Sequence, residues 1–363
     1  MTPPPPPRIG IVGASRGHGW GYRAHLPAIA ALADAGLPAP VVTAVSTTRP
    51  ESAREAAADT GATGHTSAEE LAADPAVEVV VITVKVPAHD QLVRTALAAG
   101  KHVLCEWPLA LDAREAAELE ALTRPDRRGF VGLQGRHDPV IVSARRLLAS
   151  GELGEIQTVL ARSSRGSGLA ALDQPRRYTL DRASGAGNRE VHTGHFADLV
   201  DQVVGGITPV GGAAVVHRPR VAVEGIGPVA ASAPDTLAGT FRTPTGLGAI
   251  VTFDGDPDPR STLTVHTDGG VLELTTPGVD EPGGAGQPQF SRWSGRLIRR
   301  GRPAQPLAAA DPLAGLAVPT EARHVAAQYL ALTADLTDGG SRVATFADAV
   351  RLHGLIESLA PGA

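Results

Sequence analysis

Residues 8–35, RIGIVGASRGHGWGYRAHLPAIAALADA, decide how the rest of the chain is read. Ile9, Ile11 and Val12 form a short apolar run, the glycines from Gly13 to Gly19 interrupt it, and apolar residues return at helical spacing from Trp20 to Ala35. Strand, turn and helix in that order open a dinucleotide-binding βαβ unit. The free N–H groups and dipole of the helix start favour a phosphate, and glycines let the backbone approach it. The usual fingerprint is G-x-G-x-x-G. Here Gly13-Ala14-Ser15-Arg16-Gly17-His18-Gly19 puts serine at the second glycine and adds one residue, so this motif alone also fits a glycine-rich surface turn.

Strand and helix patterns go on alternating through the first third. Residues 40–46 (PVVTAVS) read as a strand and 50–60 as a helix opening on Pro50. Ser67 with Glu70 three residues later has capping-box spacing. The β-branched run at 77–84 marks a strand covered on both faces. Helix 90–99, strand 102–105, helix 113–122 and strand 129–133 complete a doubly wound parallel sheet, an α/β Rossmann domain expected over residues 8–134. Ligands of such sheets lie beyond the carboxyl ends of the strands, where Ser15, Thr47, Lys85, Trp107 and Gln134 fall.

After Asp138 the pattern changes. Helix 140–149 is followed by strand 156–162, helix 190–204 and short strands at 212–217, 236–242, 247–253, 261–266 and 270–274 separated by Gly, Pro and Asp. That is an α+β domain with an open-faced, mostly antiparallel sheet, expected over 135–363, with closing helices at 320–337 and 346–359. The Gly/Pro-rich stretch 277–319 reads as disordered or lid-like, and residues 1–7 as a disordered proline-rich tail.

Composition narrows the function classes. The 363 residues fit two domains, and 33 basic against 38 acidic residues, with no long basic cluster, exclude a phosphate-backbone groove, so no direct nucleic-acid partner is expected. No apolar run approaches the roughly 20 residues of a membrane span. The first residues have no apolar signal core, and the single Cys105 forms no internal disulfide, so a cytoplasmic protein is expected. The corner after the second strand, Ser46-Thr47-Thr48-Arg49, has hydroxyls and arginine where an NAD-binding fold usually has a carboxylate, so NADP(H) is expected over NAD(H). Arg49 as a plain solvated loop charge is the alternative.

AGKHVLCEWPLA at 99–110, GELGEIQTV at 151–159 and GHFADLVDQVVG at 194–205 together resemble the glucose-fructose oxidoreductase and inositol dehydrogenase family, Gfo/Idh/MocA. HLPAIAAL, VKVPAHDQLV and LQGRHDPVI resemble the branch that contains the yeast galactose-regulon repressor, a NADP-binding regulator. The resemblance implies a Rossmann domain, a second α/β domain whose sheet mediates a homodimer or homotetramer, and a sugar-like or cyclic polyol substrate. It implies cofactor contacts from Gly13, Ala14, Ser15, Gly19 and Trp20, from Ser46, Thr47, Thr48 and Arg49, from Val84, Lys85, Pro87 and His89, and from Glu106, Trp107, Pro108 and Gln134.

Two departures from the family pattern stand out. Trp107 occupies the place of the E-K-P lysine that handles the substrate proton, and Val191 the place of the aspartate in D-x-x-x-H, whose histidine corresponds to His195. Hydride transfer at a carbinol carbon needs a partner for the hydroxyl proton. His195, His192 and Lys85 are the candidates. Three residues apart, His192 and His195 share a helix face, but no third ligand is near in sequence, so no metal is expected. Either histidine can instead be structural. Lys85 can replace the missing lysine if burial or Arg136 lowers its pKa, or it can bind the nicotinamide ribose. Trp107 covers the ring, shapes the sugar site, or is a buried turn aromatic. Arg136, Arg177 and Tyr178, with Trp107, His192 and His195, are the expected substrate contacts. A non-catalytic NADP-binding sensor acting through a protein partner is the alternative to an enzyme.

Overall fold

The computed structural model describes residues 5–17, 19–167 and 169–361, and the chain divides into two units. Unit 1 comprises the chain up to Gln134 together with Leu313–Val350. Unit 2 comprises Gly135–Pro312 and the residues from Arg351 onward. The return of residues 313–350 corrects the expectation of one contiguous second domain over 135–363. Its physical cause is burial: Leu313, Val325, Tyr329 and Leu332 join the same core as Ile9, Ile11, Val79 and Leu104. Burying one such side chain stabilises a fold by about 1.5–3 kcal/mol.

Unit 1 holds a parallel six-stranded sheet made of β1 (Arg8–Val12), β2 (Val41–Ser46), β3 (Thr63–His65), β4 (Val79–Ile82), β5 (His102–Glu106) and β6 (Gly129–Gly132), in the order β3-β2-β1-β4-β5-β6. This is the doubly wound order, with its switch point between β1 and β4. The crossovers carry α1 (Leu26–Asp34), α2 (Pro50–Thr60), α3 (Ala68–Ala73), α4 (His89–Ala98) and α5 (Ala113–Glu120). Ser67 caps α3 by accepting from the Glu70 N–H at 3.1 Å, and the Glu70 carboxylate in turn accepts from the Thr66 N–H at 3.0 Å. Residues 1–4 of the expected tail lie outside the described residues. Pro7 is already buried, and its carbonyl accepts from the Val41 N–H at 2.8 Å, so order begins before Arg8.

Unit 2 opens with α6 (Pro139–Ala149) and β7 (Ile156–Arg165), and α7 (Thr193–Val204) follows a π-helical turn, Asn188–His192. Its strands continue with β8 (Thr208–Val215), β9 (Arg220–Val223), β10 (Gly227–Ala230), β11 (Thr236–Arg242), β12 (Leu247–Asp254), β13 (Ser261–Thr267), β14 (Gly270–Thr275), β15 (Ser294–Ile298) and β16 (Gln305–Pro306). Eight of them form a sheet in the order β16-β15-β14-β13-β7-β12-β11-β8, antiparallel except for the parallel pair β7 and β12. β9 and β10 make a separate hairpin. On β11 and β13 alternate residues are buried, so one face of the sheet packs against the unit's core.

Two expectations need correction here. The strand expected at 212–217 lies four residues earlier at its start, because Gly211 and Gly212 pair within the ladder to β11. The stretch 277–319 is not structureless: it holds β15 and β16, and Trp293 is 5% exposed with its indole N–H donating to the Pro288 carbonyl at 2.9 Å. One buried indole supplies the burial that the Gly/Pro content conceals.

Candidate functional site

In unit 1 the chemistry gathers at the carboxyl ends of the strands. Gly13 has φ +96°, and a Cβ there would lie 2.8 Å from Val84 Cγ1 and 2.9 Å from Thr83 Oγ1. At Gly19, φ +80°, a Cβ would lie 2.9 Å from the Gly13 carbonyl oxygen. Both positions therefore exclude a side chain by backbone conformation and by space. The Gly13 N–H donates to the Ser46 carbonyl at 3.0 Å, and Arg16 Nε to Asp59 at 2.8 Å on α2, so the turn is tied to its neighbours. Ala14 is buried and Ser15 half-buried, while His18 lies outside the described residues. Beyond the turn the chain enters a π-helical segment, Gly21–His25, that runs into α1.

At the end of β2, Ser46 and Thr47 are buried and Thr48 and Arg49 exposed. The Thr47 hydroxyl lies 2.7 Å from Ser52 Oγ and donates to the Arg49 carbonyl at 3.1 Å. Its side chain ties the end of β2 to the turn that leads into α2. Thr48 and Arg49 are left as the exposed polar groups of this corner, and no carboxylate lies between Ser46 and Arg49.

At the ends of β4 and β5, Lys85 is exposed rather than buried. Val84 is half-buried and Pro87 exposed. His89 is buried with Nδ1 2.9 Å from the Pro108 carbonyl and Nε2 3.0 Å from the Val84 carbonyl. Burial lowers its pKa, and the carbonyls oppose that shift. Its ring fastens the turn after β4 to the turn after β5, between the Val84 and Pro108 carbonyls. Trp107 is 5% exposed, and the Trp107–Pro108 peptide is cis.

Glu106 is likewise engaged within the protein. Its Oε1 lies 3.2 Å from His25 Nε2, and His25 Nδ1 lies 2.7 Å from the Tyr329 hydroxyl. Trp20 meets His25 edge to face at 6.3 Å. Sequence reasoning missed this cluster because Tyr329 is 304 residues from His25. After β6, Gln134 is 1% exposed, and its Oε1 has no hydrogen-bond partner among the described residues. A buried acceptor without a donor is costly unless a ligand or water supplies one.

In unit 2 the two histidines sit differently. His192 ends the π-helical turn, fully buried, with Nε2 3.0 Å from Ser163 Oγ, which in turn lies 2.6 Å from Ser261 Oγ. Burial first, and the Arg165 charge second, push its pKa well below the usual value. His195, on α7, is 5% exposed and has no hydrogen-bond partner among the described residues. Burial pushes its pKa down to about 3, so at neutral pH it is an uncharged imidazole.

Arg136 does not stand ready for a substrate. Its Nε donates to both Asp198 oxygens at 2.9 and 2.8 Å and its Nη2 to one of them at 2.5 Å, with both residues buried. Asp198 is three residues beyond His195 on α7, so the pair anchors the helix that carries the histidine. That replaces the expected role of Arg136 as a substrate contact.

Arg177 is exposed, and burial raises the pKa of the half-buried Tyr178. Both lie on the 3₁₀ turn Gln174–Leu180, and a cavity of unit 2 is lined instead by Arg176 and Thr179, the pair that shares a face at spacing three.

Comparison with known proteins fits this geometry. Residues 7–131 match the Gfo/Idh/MocA model, an oxidoreductase family with an NAD-binding Rossmann fold. The chain is 32% identical over 214 residues to trans-1,2-dihydrobenzene-1,2-diol dehydrogenase of Bos taurus, covering 58% of each chain. It is 29% identical over 213 residues to the galactose/lactose metabolism regulatory protein GAL80 of Kluyveromyces lactis, covering 55% of this chain and 46% of that one. The matches thus span about half the length of these curated relatives. Levoglucosan dehydrogenase, solved in complex with NADH and levoglucosan, has the same fold, with a TM-score of 0.81 at 17% identity over 98% of this chain and 96% of that one.

Proposed function

Because residues 7–131 match the Gfo/Idh/MocA oxidoreductase family model, we propose that the protein is a NADP(H)-dependent oxidoreductase acting on a sugar-like or cyclic polyol substrate. The observation that carries the reading is the Gly13–Gly19 turn, where neither terminal glycine has room for a Cβ and the backbone is left open to a diphosphate. Gln134 Oε1 offers a further acceptor at a strand end. Thr48 and Arg49 favour a 2′-phosphate, and with no carboxylate in their corner nothing there repels one. The bound nicotinamide supplies the hydride acceptor or donor.

The chain's own residues do the rest. His195, uncharged and with no hydrogen-bond partner for its ring nitrogens among the described residues, takes or returns the hydroxyl proton. His192, held by Ser163, fixes the start of the same helix. Lys85 reaches the nicotinamide ribose, and Trp107 shapes the sugar site in place of the family's lysine. The exposed sheet face, where Thr240, Ala249, Leu160 and Thr264 align across β11, β12, β7 and β13, is the homo-oligomer surface, with Leu160 53% and Leu247 52% exposed. The single cysteine suits a cytoplasmic setting.

Purified protein incubated with NADP⁺ and a panel of sugars, polyols and sugar acids tests the reading by the absorbance of the reduced cofactor. His195→Ala lowers turnover by roughly 10²-fold or more with cofactor affinity unchanged. Unchanged turnover rejects the role of His195. The second reading, a non-catalytic NADP sensor with a protein partner, draws on Trp107 and on the likeness to the GAL80 regulator. Tightly bound cofactor that no substrate reduces favours it.

A further inference from the structure

Arg16 is the only arginine or lysine between Gly13 and Gly19, and its side chain reaches across to α2. Its Nε donates to Asp59 Oδ2 at 2.8 Å and its Nη2 to Asp59 Oδ1, a bidentate pair. Glu55, one turn earlier on α2, also attracts the guanidinium, and Tyr22 helps to keep the Asp59 carboxylate ionised. The helix that holds Arg16 is the one that follows β2, and the Gly13 N–H joins the glycine turn to the end of β2 through the Ser46 carbonyl. In a dinucleotide-binding sheet the end of the second strand is where the ribose 2′ position is read. The cation of the turn is therefore directed to the 2′ side of the site.

This pair differs in kind from Arg136 and Asp198, which are both buried and hold each other in place. The side chains of Arg16 and Asp59 are 47% and 27% exposed. Water screens such a pair, its net contribution is small, and its cation exchanges partners readily. The turn is not packed at this point either. Arg16 and Gly17 are exposed, and a Cβ placed on Gly17 meets nothing within 4 Å. A phosphate monoester offers the guanidinium fork the same two-oxygen edge as a carboxylate, with a charge of about −1.5 to −2 at pH 7. When Arg16 leaves, Asp59 keeps Tyr22 and solvent, so the exchange strands no buried charge.

We propose that Arg16 is a specificity-determining residue of the dinucleotide site: it leaves Asp59 for the 2′-phosphate of the cofactor, beside Arg49, and adds nothing to the binding of NAD(H). The proposal rests on the NADP(H) reading and deepens it. Calorimetry with the full chain compares NADP⁺ and NAD⁺. Arg16→Gln weakens NADP⁺ binding by about tenfold or more and leaves NAD⁺ binding within about twofold, with the melting temperature unchanged. Asp59→Asn releases the cation and strengthens NADP⁺ binding by about twofold or more. In the double variant Arg16→Gln, Asp59→Asn that gain disappears, because the carboxylate acts through the arginine.

Equal losses for both dinucleotides in Arg16→Gln, or a gain from Asp59→Asn that survives without Arg16, would each overturn the proposal. A native chain that prefers NADP⁺ and keeps its preference in Arg16→Gln, while Arg49→Asp loses it, overturns the proposal and leaves the NADP(H) reading standing. A native chain with no preference for NADP⁺ removes that reading and the proposal together.

Discussion

Glu106 Oε1 lies 3.2 Å from His25 Nε2, and this contact holds one edge of a fully buried imidazole. The other ring nitrogen, Nδ1, lies 2.7 Å from the Tyr329 hydroxyl. Burial raises the Tyr329 pKa well above its usual value, which keeps that hydroxyl protonated. The π-helical turn after the glycine loop is thereby tied both to the end of β5 and to the returning helix Thr320–Asp338. The loop that is to receive a dinucleotide is braced from behind by three polar groups rather than by apolar packing alone.

The carboxylate of this brace leaves no space above β6. A Cβ at Gly132 would lie 2.3 Å from Glu106 Oε1 and 2.6 Å from its carboxyl carbon. Gly132→Ala therefore displaces Glu106 from His25 and costs about 1–3 kcal/mol, read as a lowered melting temperature and midpoint in urea. An unchanged melt places Glu106 elsewhere.

Acid weakens unit 2 through its histidines. A folded-state pKa of about 3 for His195 lies below the unfolded value, so the unfolded chain binds more protons between the two. The stability from its uncharged form is complete above about pH 6.5 and is lost as pH falls toward 3, by on the order of a few kcal/mol. His192 shifts in the same direction. Denaturant midpoints measured from pH 8 to pH 4 fall more steeply for the native chain than for His195→Gln. Parallel curves contradict the assignment.

The proposed preference for NADP(H) draws on the corner after β2. Arg49→Asp places a carboxylate where the 2′-phosphate is expected and weakens NADP⁺ binding by about tenfold or more, with NAD⁺ binding unchanged or improved. Equal losses for both dinucleotides deny Arg49 that role.

The parts of the fold written in local pattern were legible, and those that depend on distant partners were not. The helix opening at Pro50, the Ser67 cap and the buried run at β4 announce themselves within a few residues. So does the glycine turn, whose positive φ angles follow from its composition. The Arg136–Asp198 pair spans 62 residues and His25–Tyr329 spans 304, and no periodicity encodes either. Arg136 read as a substrate contact for the same reason: an arginine near a strand end advertises charge, while the carboxylate that neutralises it is named only by folding. His89 resembled a cofactor ligand until its two ring nitrogens were found against backbone carbonyls. The stretch 277–319 looked structureless because Gly and Pro dominate it, and the single buried Trp293 outweighs them.

The central claim is that the Gly13–Gly19 turn of unit 1 receives a phosphorylated dinucleotide, and isothermal titration calorimetry with NADP⁺ measures it directly. The account predicts one NADP⁺ per chain for the native protein and none for a folded Gly13→Val variant, whose side chain would meet Thr83 and Val84. A folded native chain that gives no heat with either NADP⁺ or NADPH would contradict it.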